Sequence, residues 1–281
     1  MTRDTATPGS GRARRAVVLA RGAGTRMRAA DAQAPLLPDQ AQAAASGHKA
    51  LMPIAGRPFL DFVLRALAEA GITEVALVVA PDHREMRAAY PGDLGPAGLR
   101  LAWLIQTDAR GTADAVLAAR EWAGDEPFLV INGDNVYPVA ALRALADLGG
   151  PGLAGFERDN LIATGNVAED RIAAFALVDA GDDGTLRRIV EKPAANDVER
   201  AGAAALVSMN LWRFDHRIFE ACRDVVPSPR GEKELPAAAM LARSRGMQFT
   251  VVRARGPVLD LSRRSDVAEV TRRLTGGGTS A

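Results

Sequence analysis

An α/β fold, with a mostly parallel sheet and helices on both faces, is what this sequence of 281 residues predicts. Short apolar runs alternate with helical patterns through the first half, at the spacing of βαβ units. The first run, Val17-Val18-Leu19-Ala20, breaks off at Arg21-Gly22-Ala23-Gly24-Thr25-Arg26-Met27, a turn with two close glycines. A later run, Phe128–Ile131, ends in the polar turn Asn132-Gly133-Asp134.

Strands are expected at Ala16–Ala20, Glu74–Val79, Leu99–Leu104 and Phe128–Ile131, all apolar runs of strand length. Helices are expected at Pro58–Ala70, Arg84–Tyr90 and Thr112–Trp122, with another at Val139–Leu148. The second half changes character. Arg171–Val178 and Leu186–Glu191 flank the turn-rich Asp179-Ala-Gly-Asp-Asp-Gly184 and read as a hairpin. A strand at Ala204–Phe214 precedes helices at Asp215–Cys222 and Glu232–Arg245, strands at Gln248–Val252 and Pro257–Leu259, and a last helix at Ser265–Leu274. The segment 28–48 is too long for a simple phosphate loop. A short helix at Asp39–Ala45 would let it serve as a lid, or it is a surface insertion.

The length suits one large α/β domain or two small ones. A single domain over 15–275 is expected, after a disordered leader at 1–14 and before a Gly-rich flexible tail at 276–281. Thirty-five Lys and Arg against 34 Asp and Glu leave a formal net charge of +1, which argues against a general binder of nucleic acid or anionic membrane. Cys222 is the only cysteine, so an intrachain disulfide and a cysteine zinc site are excluded. No run approaches the roughly 20 apolar residues of a membrane span. A cytoplasmic protein is expected.

A turn with Gly22 and Gly24 can present several backbone N–H groups to one anion, and Arg26 adds a planar fork of donors. Met27 replaces the third glycine of the dinucleotide fingerprint, and the Walker spacing is absent. Lys49, ahead of Pro53, can reach a phosphate site. Gln106 offers an amide to a base edge, Gly111 permits close approach of a ring, and Thr112 suits a helix N-cap. Asp134 and Asp260 each end an apolar run, as ligands of a hard cation such as Mg²⁺ would. Glu191 and Lys192 offer an acceptor for hydroxyls and a charge for phosphate. His48, His83 and His216 lack ligand spacing and receive no role.

Together these segments resemble the sugar-phosphate nucleotidylyltransferases. The shared pattern is Gly-x-Gly-Thr-Arg, Lys-x-x-x-Pro, a Gln with Gly-Thr-Ala, Gly-Asp, Glu-Lys-Pro and a late Asp, all in order between residues 17 and about 267. The resemblance implies a Rossmann-like three-layer sandwich with a mixed, mostly parallel sheet of the nucleotide-diphospho-sugar transferase type. It also implies reaction of a nucleoside triphosphate with a sugar 1-phosphate, with Mg²⁺ as cofactor. Leu19, Ala20, Arg21, Gly22, Gly24 and Thr25 would then line the nucleotide, with Gln106, Gly111 and Thr112 on the base side. Arg26, Lys49 and Lys192 would be the catalytic cations, Glu191, Lys192 and Asn210 the sugar-phosphate site, and Asp134 with Asp260 the metal ligands.

Three departures from the family stand out. Arg21 replaces a small residue near the base site, and Asn210 replaces a glycine at the sugar site. Ser262-Arg263-Arg264 replaces Gly-Thr-Pro after Asp260. Gln106 suits a uracil or thymine edge, whereas Arg110-Gly-Thr-Ala-Asp-Ala-Val116 resembles adenylyl members, and guanylyl members share similar loops. Transfer to a non-sugar phosphate monoester and a silent nucleotide-sugar sensor are the rival readings. Many relatives are oligomers, but no heptad or apolar stripe points to an interface.

Overall fold

Four parallel strands carry the N-terminal half of the sheet: β1 (Arg15–Leu19), β2 (Glu74–Val79), β3 (Arg100–Ile105) and β4 (Phe128–Asn132). β1 pairs with both β2 and β4, and β2 with β3, so the spatial order is β3-β2-β1-β4. The chain steps outward from β1 to β3, then returns to the other flank for β4. The carboxyl ends of β1 and β4 therefore frame the point where strand order reverses, the place where open α/β sheets bind ligands.

The computed structural model describes residues 11–276 apart from 23, 30, 32 and 203. Alternate residues of β1 serve different cores: Ala16 and Val18 join one buried cluster, Val17 another. Covered on both faces, β1, β2 and β4 are almost wholly apolar instead of alternating with polar residues, which is why they read as continuous runs; the edge strand β3 is only half-buried.

Beyond β4 the sheet becomes mixed. β5 (Gly152–Glu157), β6 (Ala176–Ala180), β7 (Leu186–Val190), β8 (Leu206–Phe214) and β9 (Thr250–Ala254) complete nine strands. β8 runs antiparallel to β4, β5 and β6. β6 and β7 form the expected hairpin, and β9 lies parallel to β5. The result is the mixed α/β sandwich that the resemblance implied.

Several elements differ from expectation. β5 and the helix Arg158–Thr164 were not foreseen, because Gly-Leu-Ala-Gly-Phe-Glu carries two glycines in six residues and little strand propensity. The strand expected from Arg171 begins only at Ala176, behind a 3₁₀ turn over Glu169–Ala174. The helix expected over Thr112–Trp122 splits into Thr112–Leu117 and Arg120–Ala123. In the 28–48 segment the helix runs Pro38–Ser46, started by Pro38 and ended by Gly47 in the left-handed region.

Of the leader expected at 1–14, residues 1–10 lie outside the described residues, whereas Ala13 is buried and Arg12 donates to Ala70 O at 2.7 Å. Of the tail, 277–281 lie outside the described residues. Among the described residues, no helix is long and apolar enough to cross a membrane.

Candidate functional site

A cavity of about 450 Å³ opens at the carboxyl ends of β1 and β4. Its floor is Leu19 and Ala20 from β1 and Asn132-Gly133-Asp134 from β4. Gly133 N–H donates to Leu19 O at 2.9 Å, which holds the two turns side by side and leaves the Asp134 carboxylate at the cavity wall.

Lys49, immediately after the 28–48 segment, donates through Nζ to Asp134 Oδ2 at 2.8 Å. The segment is seated tightly against the glycine turn. Gly24 has φ 62°, and a Cβ there would lie 2.1 Å from Gly47 O. Arg28 also donates to Ser46 O at 2.8 Å. Only glycine permits both that backbone conformation and that approach.

Arg21 also lines the cavity. Its Nε donates to Gln106 O at 2.8 Å and its Nη2 to Thr107 O at 3.0 Å, so one guanidinium straps the β1 turn to the β3 turn. Gln106 is buried, and its Nε2 donates to Gly111 O at 3.0 Å and Asp114 Oδ2 at 2.9 Å. Neither acceptor can donate, which fixes the amide orientation and leaves Oε1 as the group Gln106 can offer. Gly111, at φ 106°, lies so close to the 230–236 segment that a Cβ would fall 2.4 Å from Lys233 O. Thr112 Oγ1 accepts from Leu235 N–H at 2.9 Å, so it caps the neighbouring helix, Leu235–Ser244, instead of its own.

Glu191 and Asn210 complete the wall from β7 and β8. Asn210 sits at a register shift in β8 with φ 57°, and its Oδ1 accepts from Trp212 Nε1 at 3.3 Å. Asparagine is among the few residues that tolerate that backbone region. The cavity also takes in Arg230, Glu232 and Glu234, which received no role in the sequence reading. Arg230 pairs with both acids. Their signal was a dense run of alternating charge just before a helix, which usually marks a solvated surface. Glu191 is itself exposed at the cleft rim, but partial desolvation there, then Glu234, push its carboxyl above its ordinary range, against the opposing pull of Lys192 and Arg230.

His48 is a second omission. It lines the cavity, bonds through Nδ1 to Glu85 Oε2 at 3.0 Å, and meets the His83 ring edge-on at 4.6 Å. Burial, and then His48, lowers the His83 pKa.

Of the residues expected at the site, Leu19, Ala20, Arg21, Gly22, Lys49, Gln106, Gly111, Thr112, Asp134, Glu191 and Asn210 line this cavity. Gly24, Thr25, Arg26, Lys192 and Asp260 do not. Thr25 and Arg26 are exposed at the start of the short helix Thr25–Arg28. Lys192 is exposed next to Glu191, with φ 45°. Asp260 is 3% exposed and bonded to Arg171. No group of three or more His, Cys, Asp or Glu suited to a metal occurs among the described residues.

A family model described as nucleotidyl transferase matches residues 15–257. The glucose-1-phosphate thymidylyltransferase of Streptomyces antibioticus is 31% identical over 258 residues, 92% of this chain and 65% of that protein. The UTP–glucose-1-phosphate uridylyltransferase AglF of Haloferax volcanii is 27% identical over 270 residues, 95% of this chain and 98% of that protein. The chain spans 50% to 65% of the length of the first curated relatives it matches. A crystal structure of apo UDP-glucose pyrophosphorylase shares the fold at a TM-score of 0.73 and 18% identity, covering 94% of this chain and 98% of that one.

Proposed function

This chain belongs to the nucleotidyl transferase family, and from that premise we propose that it transfers a nucleotidyl group from a nucleoside triphosphate to a sugar 1-phosphate. Pyrophosphate is the second product, and the cytoplasm, where triphosphates are made, is the site of reaction. One observation carries the reading: a single cavity gathers two chemically different sets of groups from opposite halves of the sequence. The first set, Gly22, Lys49 and Gln106, with Arg21 strapping their turns together, suits an anion joined to a base. The second, Glu191, Asn210, Arg230 and Glu234, suits hydroxyls joined to an anion.

In this reading an oxygen of the sugar phosphate bonds to the α-phosphorus as the bond to the pyrophosphate oxygen breaks. Such a displacement asks for alignment and charge neutralisation, not for a protein nucleophile. The Gly22 turn and Lys49 bind the triphosphate oxygens. Arg26, on the same turn, meets the departing pyrophosphate. Arg230, oriented by Glu232 and Glu234, joins Lys192 on the sugar phosphate, while Glu191 and Asn210 hold hydroxyls. Gln106 Oε1 accepts from a ring N–H at the centre of a base edge, which uracil, thymine and guanine offer and cytosine and adenine do not.

A Mg²⁺ ion fits beside Asp134. Lys49 bonds one carboxylate oxygen, and magnesium in nucleotide sites needs only one or two carboxylates besides phosphate oxygens. When bound, it withdraws negative charge from those phosphates. Asp260 does not fit as a second ligand, because Arg171, Ser262 and Asn135 take its oxygens.

The test is pyrophosphate release with Mg²⁺, crossing the common nucleoside triphosphates against hexose, heptose and cyclitol 1-phosphates. Release that requires one triphosphate and one sugar phosphate together is expected, with UTP or dTTP leading. Absence of release across the panel, or release without any sugar phosphate, would overturn the reading.

A further inference from the structure

Asp260 and Asp134 are neighbours through the main chain but not in their surroundings. The strand Leu259–Asp260 pairs antiparallel with Asn135–Val136, and Leu261 N–H donates to Asp134 O at 2.9 Å. Asp134 faces the cavity, whereas Asp260 is almost wholly enclosed by protein donors. Its Oδ1 accepts from Ser262 Oγ at 3.0 Å and Asn135 Nδ2 at 3.4 Å, and its Oδ2 from Arg171 Nη2. Even its main chain is closed, because the Asn166 side chain accepts from Asp260 N–H at 2.7 Å and donates to Asp260 O at 2.8 Å.

Arg171 is shared. Its Nη1 donates to Asp266 Oδ1 at 2.7 Å, and Asp266 Oδ2 accepts from the N–H groups of Ser262 and Arg263 at 2.8 Å each. A guanidinium is a permanent cation with a rigid fork, and here the fork spans two buried acids. A metal ion reaching Asp260 would have to expel that fork and leave Asp266, itself 7% exposed, with only its two N–H donors and no cation.

The turn so fixed has a further attachment. Arg264 Nε donates to Met27 O at 2.9 Å, and its Nη2 to Arg28 O at 3.4 Å, at the end of the short helix that follows the glycine turn. Arg264 thus spends its fork on protein carbonyls, not on a ligand.

We infer that Arg171 is the resident cation of Asp260 and that the Arg171–Asp260–Asp266 triad is a positioning device in this chain. It holds the 260–264 turn, which fixes Asp134 through Leu261 N–H and the glycine turn through Arg264. The nucleotide's metal meets Asp134 and not Asp260. This rests on the proposed nucleotidyl transfer only for the identity of the ligand being positioned.

Binding of Mn²⁺ by electron paramagnetic resonance, with and without a non-hydrolysable triphosphate analogue, tests the inference on D134N, D260N, R171M and R171K. The expected pattern is Mn²⁺ affinity within about 2-fold of the unsubstituted protein for D260N and R171M. Those two should show a lower Tm and a triphosphate KM raised about 10-fold, with R171K recovering part of the KM. A D260N loss of Mn²⁺ affinity as large as that of D134N would overturn the inference, as would tighter Mn²⁺ binding by R171M. Unchanged affinity in D134N would instead overturn the reading of Asp134. The Nη–H resonances of the Arg171 guanidinium, whose Nη1 and Nη2 make both ion pairs, supply in the unsubstituted protein a check that needs no variant to fold. The guanidinium should stay paired when Mg²⁺ and the analogue are added, and its release would sink the proposal.

Discussion

Lys49 and Asp134, 85 residues apart in sequence, meet as an ion pair at 2.8 Å on the wall of the cavity. Both side chains remain partly accessible, at 18% and 28%. The pair is within reach of solvent and therefore adds modestly to stability. Its value lies in a cation and a carboxylate set within reach of the same phosphates. Lys49→Met removes a charge that acts on the transition state, so kcat should fall by about 10²–10³-fold. The double variant with Asp134→Asn should lose less than the product of the two single losses, because each change unpairs the other group. Full additivity in initial-rate assays would mean that the two groups act separately.

Arg21 joins two turns that belong to different strands. Two hydrogen bonds from a charged donor to main-chain carbonyls contribute roughly 1.5–3 kcal/mol each, less where solvent competes. Arg21→Ala should therefore raise the triphosphate KM by about 10-fold and leave kcat nearly unchanged, since the strap orients the base turn without touching the reacting phosphorus. Arg21→Lys should not restore KM, because an ammonium cannot span both carbonyls as a planar fork does. Steady-state kinetics with the triphosphate varied would show this, and a full rescue by lysine would reduce Arg21 to a point charge.

Gly111 couples the base turn to the segment that carries Arg230 and Glu234. Lys233 O accepts from Ala113 N–H at 2.9 Å, and Lys233 N–H donates to Arg110 O at 2.6 Å. A Cβ at Gly111 would push into Lys233 O and N from a backbone region closed to other residues. Gly111→Ala should cost about 1–3 kcal/mol by denaturant unfolding. It should also raise KM for both substrates, because the two halves of the site shift together. A rise for the triphosphate alone would show that the halves are mechanically independent.

The inner parallel strands β1, β2 and β4 were legible because both their faces are covered, so burial wrote itself as nearly unbroken apolar runs. β5 escaped because two glycines and an alanine in six residues give it little strand propensity, and packing on β8 and β9 decides its state instead. In the site, Lys49, Gln106 and Asp134 were legible through short motifs at strand ends. Arg230 and Glu234 were not, because nothing local separates a charged run that folds into a cleft from one that faces water. Nor was the pairing of Asp260, which depends on Arg171 in a 3₁₀ turn 89 residues earlier.

Glu191 gives the pH dependence a definite sign. Its carboxyl is held above the ordinary range first by partial desolvation at the cleft rim, where it stays exposed, and then by Glu234. The ionised form, which accepts hydrogen bonds from hydroxyls, is complete above that raised pKa and lost as pH falls through it. The acid limb of kcat/KM for the sugar phosphate should therefore lie at higher pH than an ordinary carboxylate would give. Glu234→Gln removes the repelling charge and frees Arg230 to act on Glu191, and both changes lower the pKa. The limb should move to lower pH in that variant and vanish in Glu191→Gln, whose kcat/KM should be low and flat. A limb that stays in place in Glu234→Gln would assign the titration to the sugar phosphate itself.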